Sequence, residues 1–238
     1  METKQLYLYD SYQKECTAIV QKVSGNQVIL DQTVFHPLTG GVSYDTGYIN
    51  KDKNAYSVVQ VAINKDTKEI IHILDNAACL HADDVVSGIL NWERRYKLMR
   101  LHTAAHLIAA IMYRDYNALI TGGQVDPEQA KIDFNLPTTN REIFEDTITK
   151  ANLEVNKGIS LKIYFLERTE ALKMPGIVKL AERMPPQVKE FRIVEIPGVD
   201  VQADGGPHVN NTREIGKIHL VKVENKGKTQ RRVYFNVS

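Results

Sequence analysis

Between residues 14 and 90 apolar and polar side chains alternate in short runs, QKECTAIVQKV, NQVILDQ, AYSVVQVAI and EIIHIL, a period of two that predicts half-buried strands. Ser24-Gly25-Asn26 is a turn signal between the first two, and the polar run Asn64-Lys65-Asp66-Thr67-Lys68 predicts a hairpin between the last two. Short strands at this spacing point to a small barrel or sandwich. From about Asn91 the period changes. In WERRYKLMRLHTAAHLIAAIMYRDY, Leu98, Leu101, Ala105, Ile108 and Met112 recur at helical spacing with no Gly or Pro to interrupt. A second helix is predicted from the capping-box pattern Thr139-Asn140-Arg141-Glu142 to near Gly158, with Phe144, Ile148, Ala151 and Val155 as its buried stripe. ISLKIYFL then reads as a strand, a short helix leads to Met174-Pro175-Gly176, FRIVEI is a further strand, and residues 217–237 form a closing hairpin with Asn225-Lys226-Gly227-Lys228 at its tip. The expected fold class is α+β. A small β-barrel-like N-terminal domain, residues 1–90, precedes an α+β domain, residues 91–238, whose long helix packs on an antiparallel sheet.

Composition changes this picture little. The 238 residues suffice for two moderate cores, and 43% hydrophobic with 25% charged residues is ordinary for a globular protein with no run long enough to span a bilayer. No membrane partner is expected. The first residues, METKQLYLYDSYQKE, lack the apolar stretch of a secretory signal, so a cytoplasmic location is expected. Two isolated cysteines, Cys16 and Cys79, make neither a disulfide framework nor a metal knuckle. A formal charge of +1 means that a nucleic-acid partner would be met by local basic patches.

The chemistry concentrates in two segments. RLHTAAHLIAA places His102 and His106 four residues apart, one turn above each other on one helix face, so both can reach a single ion. That spacing alone also suits neutral histidines in a core or cleft. About a hundred residues later, VDVQADGGPHV supplies Asp204 and His208 across the Gly205-Gly206 turn, where missing side chains let backbone approach an ion or ligand. Three imidazoles and a carboxylate suit Zn²⁺, one ion per chain, although Fe²⁺ or Ni²⁺ could occupy the same set. His36, His72, His81 and His219 sit in strand or turn contexts and read as structural.

HTAAH followed by DGGPHVNNTREIG resembles the HxxxH and CxxxH pair of the alanyl-tRNA editing proteins of the AlaX type, freestanding relatives of the editing domain of alanyl-tRNA synthetase. The stretch DQTVFHPLTGGVSYDTG is similar to the glycine-rich motif of that family, and WERRY, TGGQ and KIDF also resemble family segments, so the likeness spans nearly the whole chain. Asp204 stands where the family pattern CGGTH has cysteine, and Pro207 where it has threonine; Thr39 and Val42 occupy the outer positions of the usual GGGQ. Asp204 either coordinates in place of the thiolate or supports the site from beyond the ion.

The resemblance implies hydrolysis of the ester joining serine, with glycine as a second candidate, to the 3′ end of mischarged tRNA(Ala), with no DNA partner. An alanine pocket cannot exclude glycine by size or strongly reject an added hydroxyl, whereas a second site that hydrogen-bonds the hydroxyl discriminates by roughly 10⁴-fold. Thr39, presented by Gly40-Gly41, is the candidate reader of that hydroxyl, although a turn threonine can equally bond its own backbone. Thr39 and Asp204 are thus the candidate catalytic residues; Thr39, Gly40, Gly41, Gly205 and Gly206 are the candidate substrate contacts. Zinc can lower the pKa of water toward about 7, polarise the carbonyl, or grip the α-amino group. Arg94 and Arg95, and Lys226 and Lys228 with Arg231-Arg232 nearby, are the candidate phosphate contacts. Two other readings stay open: a non-catalytic RNA-binding protein with a structural metal, and a metal hydrolase of small esters or amides.

Overall fold

Alternation along the chain becomes a barrel because each strand buries one face. The computed structural model describes residues 2–64, 66–77, 79–137, 140–174, 177 and 188–238. These divide into two units, Met1–Lys97 and Leu98–Ser238.

In the first unit the strands are β1 (Lys4–Gln5), β2 (Glu15–Ser24), β3 (Gln27–Leu30), β4 (Gln32–Thr33), β5 (Gly47–Lys51), β6 (Asn54–Ile63), β7 (Ile70–Leu74) and β8 (Val85–Leu90). Six of them close a barrel in the order β2-β3-β7-β6-β5-β8, while β1 and β4 form a short parallel pair. Closure removes the unpaired edges that an open sheet would present. On β2 Cys16, Ala18 and Val20 point inward, and they join Val28, Leu30, Phe35, Ile49, Val58, Val61, Ile70 and Leu74 in the barrel core. The β2–β3 turn falls at Gly25-Asn26, and β6 and β7 pair as the expected hairpin, with the Asn64 carboxamide accepting from the amides of Asp66 and Thr67. Lys65 lies outside the described residues.

Helix α1, Trp92–Tyr116, is where the predicted period of 3.6 begins. An apolar stripe predicts one buried face, but Leu98, Met99, Leu101, Ala104 and every residue from Leu107 to Met112 are buried, which takes in all sides of the helix. It is a central helix, not a half-buried one. Of the expected stripe, Ala105 alone is only half-buried.

The second unit continues with β9 (Ile120–Val125), β10 (Ala130–Asn135), α2 (Arg141–Lys157), β11 (Lys162–Glu167), α3 (Arg168–Ala171), β12 (Glu190–Ile196), β13 (Asp200–Ala203), β14 (Ile218–Asn225) and β15 (Gln230–Val237). They make a four-stranded antiparallel sheet, β14-β15-β10-β9, and a three-stranded one, β11-β12-β13. Helix α2 buries Phe144, Thr147, Ile148, Ala151 and Val155 and packs against β14. Its N-cap is Asn140, whose side chain accepts from the Glu142 amide at 2.9 Å, so the hydroxyl cap expected from Thr139 is replaced by a carboxamide one residue later; Thr139 itself lies outside the described residues. The helix ends at Gly158 in the left-handed conformation. The short helix predicted before Met174 is α3; Pro175 and Gly176 lie outside the described residues. No described helix is long and apolar enough to cross a membrane.

Candidate metal centre

Four side chains of the second unit converge. His102 and His106 come from α1, and Asp204 and His208 from the loop that follows β13. One ligand atom from each lies within 4.8 Å of all the others. The rings of His102 and His208 stack at 4.1 Å between centroids, and His106 meets both edge-on, at 5.0 Å and 4.6 Å. All three imidazoles are buried.

Outer hydrogen bonds fix which nitrogen of each ring faces inward. The Nδ1 of His102 lies 3.3 Å from the carbonyl oxygen of Pro207, which can only accept, so Nδ1 carries the proton. His106 Nδ1 lies 3.0 Å from a carboxylate oxygen of Asp200, with the same consequence. For His208 the partner is the Thr103 hydroxyl at 3.1 Å, whose single proton goes to the Met99 carbonyl at 2.9 Å; the hydroxyl therefore accepts from His208 Nδ1. Three Nε2 lone pairs are left, aimed at the Asp204 carboxylate from 3.6, 3.9 and 3.3 Å for His102, His106 and His208. Burial pushes the His102 imidazole down to about 4 and carries His208 in the same direction, so both are neutral at neutral pH. The result is a buried group of acceptors facing acceptors, an arrangement that a cation relieves. Bonds of about 2 Å require ligand atoms within about 4 Å of each other, so small side-chain shifts of the widest pair bring all four to one ion. The donor set fits a divalent metal.

The loop is built to hold Asp204 in place. Its Oδ1 accepts from the Gly206 amide at 2.7 Å, and the buried Arg192 on β12 donates from Nη1 to the carbonyls of Asp204 and Gly206, both at 2.9 Å. Gly206 is required by space: a Cβ there would lie 2.6 Å from His102 Cε1 and 2.8 Å from its Nδ1. Gly206→Ala is expected to destabilise the protein by about 1–3 kcal/mol through overpacking and to weaken cation binding. An unchanged urea midpoint with unchanged metal affinity would show that the ring yields freely.

Of the other candidate residues, Thr39, Gly40 and Gly41 lie in the first unit. The backbones of Thr39 and Val42 exchange both hydrogen bonds, at 3.3 and 2.9 Å, around Gly40 (φ 60°) and Gly41 (φ 83°). Two positive φ angles make a type I′ turn, which only glycine-like residues enter cheaply. It leaves Thr39 exposed. Lys226 and Lys228 are exposed at the β14–β15 tip. Arg95 is not a surface cation. It is 0% exposed and paired with Asp45, because burial of the guanidinium among the carbonyls of Ser11 and Val34 satisfies it internally; it therefore cannot contact a phosphate. Arg94 is half-buried, with its guanidinium on the Tyr44 carbonyl and the Ser43 hydroxyl. Arg231 is buried against backbone carbonyls, including that of Pro137, and Arg232 is held by Asp133. His36 and His72 are buried in the first unit, the latter between the Thr33 hydroxyl and the Val28 carbonyl.

The residues that sequence reasoning missed are Asp200, Thr103 and Arg192. A signal existed for Asp200: on a strand, positions 200, 202 and 204 share a face, so VDVQAD puts three polar side chains on one side, and Asp200 and Gln202 are indeed buried.

Comparison with known proteins adds independent information. The model described as threonyl and alanyl tRNA synthetase second additional domain matches residues 191–234, and that of class II (A) tRNA synthetases matches residues 2–94. The alanyl-tRNA editing protein AlaX-M of Saccharolobus solfataricus is 52% identical over 235 residues, 99% of each chain, and that of Methanosarcina barkeri is 38% identical over 240 residues, again 99% of each. The alanine–tRNA ligase of Sulfurisphaera tokodaii is 36% identical over 232 residues, 93% of this chain but 25% of the ligase. With end-to-end identity at these levels, the chain belongs to the AlaX-M family of alanyl-tRNA editing proteins.

Proposed function

We propose that this protein is a trans-editing hydrolase that cleaves the aminoacyl ester of mischarged tRNA(Ala), with serine as the chief amino acid removed and glycine a second candidate. The observation that carries this reading is the convergence of His102, His106, Asp204 and His208 in a chain that matches named editing proteins from end to end. In this reading those four side chains hold one Zn²⁺, which when bound supplies Lewis-acid polarisation at the ester or grips the α-amino group. Asp204 is the fourth ligand, fixed by Arg192 and the Gly206 amide, and the exposed Gly205 lets substrate approach beside it. Thr39, at its glycine turn, reads the serine hydroxyl by a hydrogen bond. Lys226 and Lys228 meet tRNA phosphates, with Arg94 assigned to hold its own loop instead. The functional division follows the sequence reading: a β-rich domain carrying the glycine-rich motif, residues 1–90, and a metal-dependent editing domain, residues 91–238.

The test is hydrolysis of seryl-tRNA(Ala) with and without chelator, beside correctly charged alanyl-tRNA(Ala). Serine is expected to be lost in a metal-dependent way and alanine spared. Indifference to chelator together with sparing of both esters would favour the one alternative that four protein ligands support, an RNA-binding protein with a closed structural metal site. Thr39→Val is expected to lower kcat/KM for seryl-tRNA(Ala) by about tenfold, the worth of one neutral hydrogen bond. An unchanged serine rate would remove Thr39 from the specificity site.

A further inference from the structure

The centre has a layer outside its candidate ligands, and that layer is unequal. Each ring donates its Nδ1 proton to something: His102 to the Pro207 carbonyl, His208 to the Thr103 hydroxyl, and His106 to the Asp200 carboxylate. Only the last acceptor is a carboxylate. It is buried at 3% exposure, and the same oxygen that takes the His106 proton, Oδ2, also accepts from Gln202 Nε2 at 2.9 Å. Two donors on one oxygen fix its position. Asp200 lies on β13, four residues before Asp204, so the strand carries the group that orients a ligand coming from α1, and the loop that follows it carries another candidate ligand. A carboxylate on the far nitrogen of an imidazole fixes the tautomer and the ring plane and makes the near lone pair a better donor.

We infer that Asp200 is a positioning residue for the metal, setting His106 as the strongest of the three imidazole donors through the Asp200–His106 hydrogen bond, with Gln202 holding the carboxylate in register. The inference rests on the reading that the cluster holds zinc. It concerns residues that the ligand set does not include.

The test is competition of metal-free protein against a chelator of known affinity for Zn²⁺, together with the visible spectrum of the Co²⁺-loaded protein. Asp200→Asn keeps the shape and an accepting oxygen but removes the charge; Asp200→Ala removes the acceptor. Zinc affinity is expected to fall by about tenfold for the first and toward about 100-fold for the second. The Co²⁺ spectrum should shift in both, while metal-free Asp200→Asn melts close to the parent protein. Asp200→Asn with parental zinc affinity and an unaltered Co²⁺ spectrum would overturn the inference, as would a variant that only melts earlier, which is the mark of a purely structural aspartate. A parent protein that takes up no zinc would instead overturn the reading of the centre itself, and the two failures are therefore distinct. Should Asp200→Ala fail to fold, Asp200→Asn alone decides.

Discussion

His106→Ala is expected to leave a folded protein that retains much less than one metal ion per chain and hydrolyses seryl-tRNA(Ala) at least about 10³-fold more slowly. In the zinc-dependent reading proposed above, the magnitude follows from Lewis-acid stabilisation, worth several kcal/mol at the transition state, with each 1.36 kcal/mol being a factor of ten. His106 is the most demanding position to empty, because its ring joins two carboxylates: Asp204 lies 3.9 Å from Nε2 and Asp200 3.0 Å from Nδ1. Its removal takes a candidate ligand from the centre and leaves the buried Asp200 without its imidazole donor, adding about 1–3 kcal/mol of destabilisation. The fold is expected to survive this loss, since α1 is anchored by Leu98, Met99, Leu101, Leu107, Ile108, Ile111 and Met112, all essentially inaccessible. Metal analysis and single-turnover hydrolysis check the result. Full metal content with an unchanged rate would exclude His106 from the centre.

The elements legible in the sequence were those whose period is long and uninterrupted. The α2 stripe Phe144, Ile148, Ala151 and Val155 is buried as its spacing predicts, and the β14–β15 hairpin turns where Asn225-Lys226-Gly227-Lys228 predicts. Strands β1 and β4, of two residues each, are too short to carry a period, and β9 hides behind Gly122 and Gly123, which are depleted in strands. At the centre, the four converging residues were legible because each pair keeps a local spacing of four. Their outer partners were not. Thr103 and His208 lie 105 residues apart and Asp200 and His106 94 apart, and no spacing rule links such pairs. Arg94-Arg95 shows the same limit from the other side: a doublet of cations reads alike whether it faces phosphate or an internal aspartate 50 residues away.

That internal aspartate gives the largest expected effect on stability. Arg95→Ala is expected to destabilise the protein by about 3–5 kcal/mol, because it strands the Asp45 carboxylate in a fully buried place. The guanidinium currently meets that carboxylate from Nε at 3.0 and 3.1 Å, and donates to Ser11 O at 2.9 Å and Val34 O at 2.7 Å. Asp45 in turn accepts from the His36 amide at 2.6 Å and donates its own amide to the His36 carbonyl at 2.9 Å, closing the base of the loop that carries Thr39, Gly40 and Gly41. At about 2–4 °C per kcal/mol for a chain of this size, the melting temperature should drop by about 6–20 °C. Arg95→Lys retains the charge but not the rigid fork, and belongs between the parent and the alanine variant. Joint replacement, Arg95→Met with Asp45→Leu, should recover most of the loss, because a buried ion pair offsets little more than its own desolvation. The same substitution separates the two roles available to an arginine here: were Arg95 a phosphate contact, Arg95→Ala would weaken tRNA binding and flatten its salt dependence while the melting temperature stayed put. A fall in melting temperature that the double replacement repairs can come only from the buried pair.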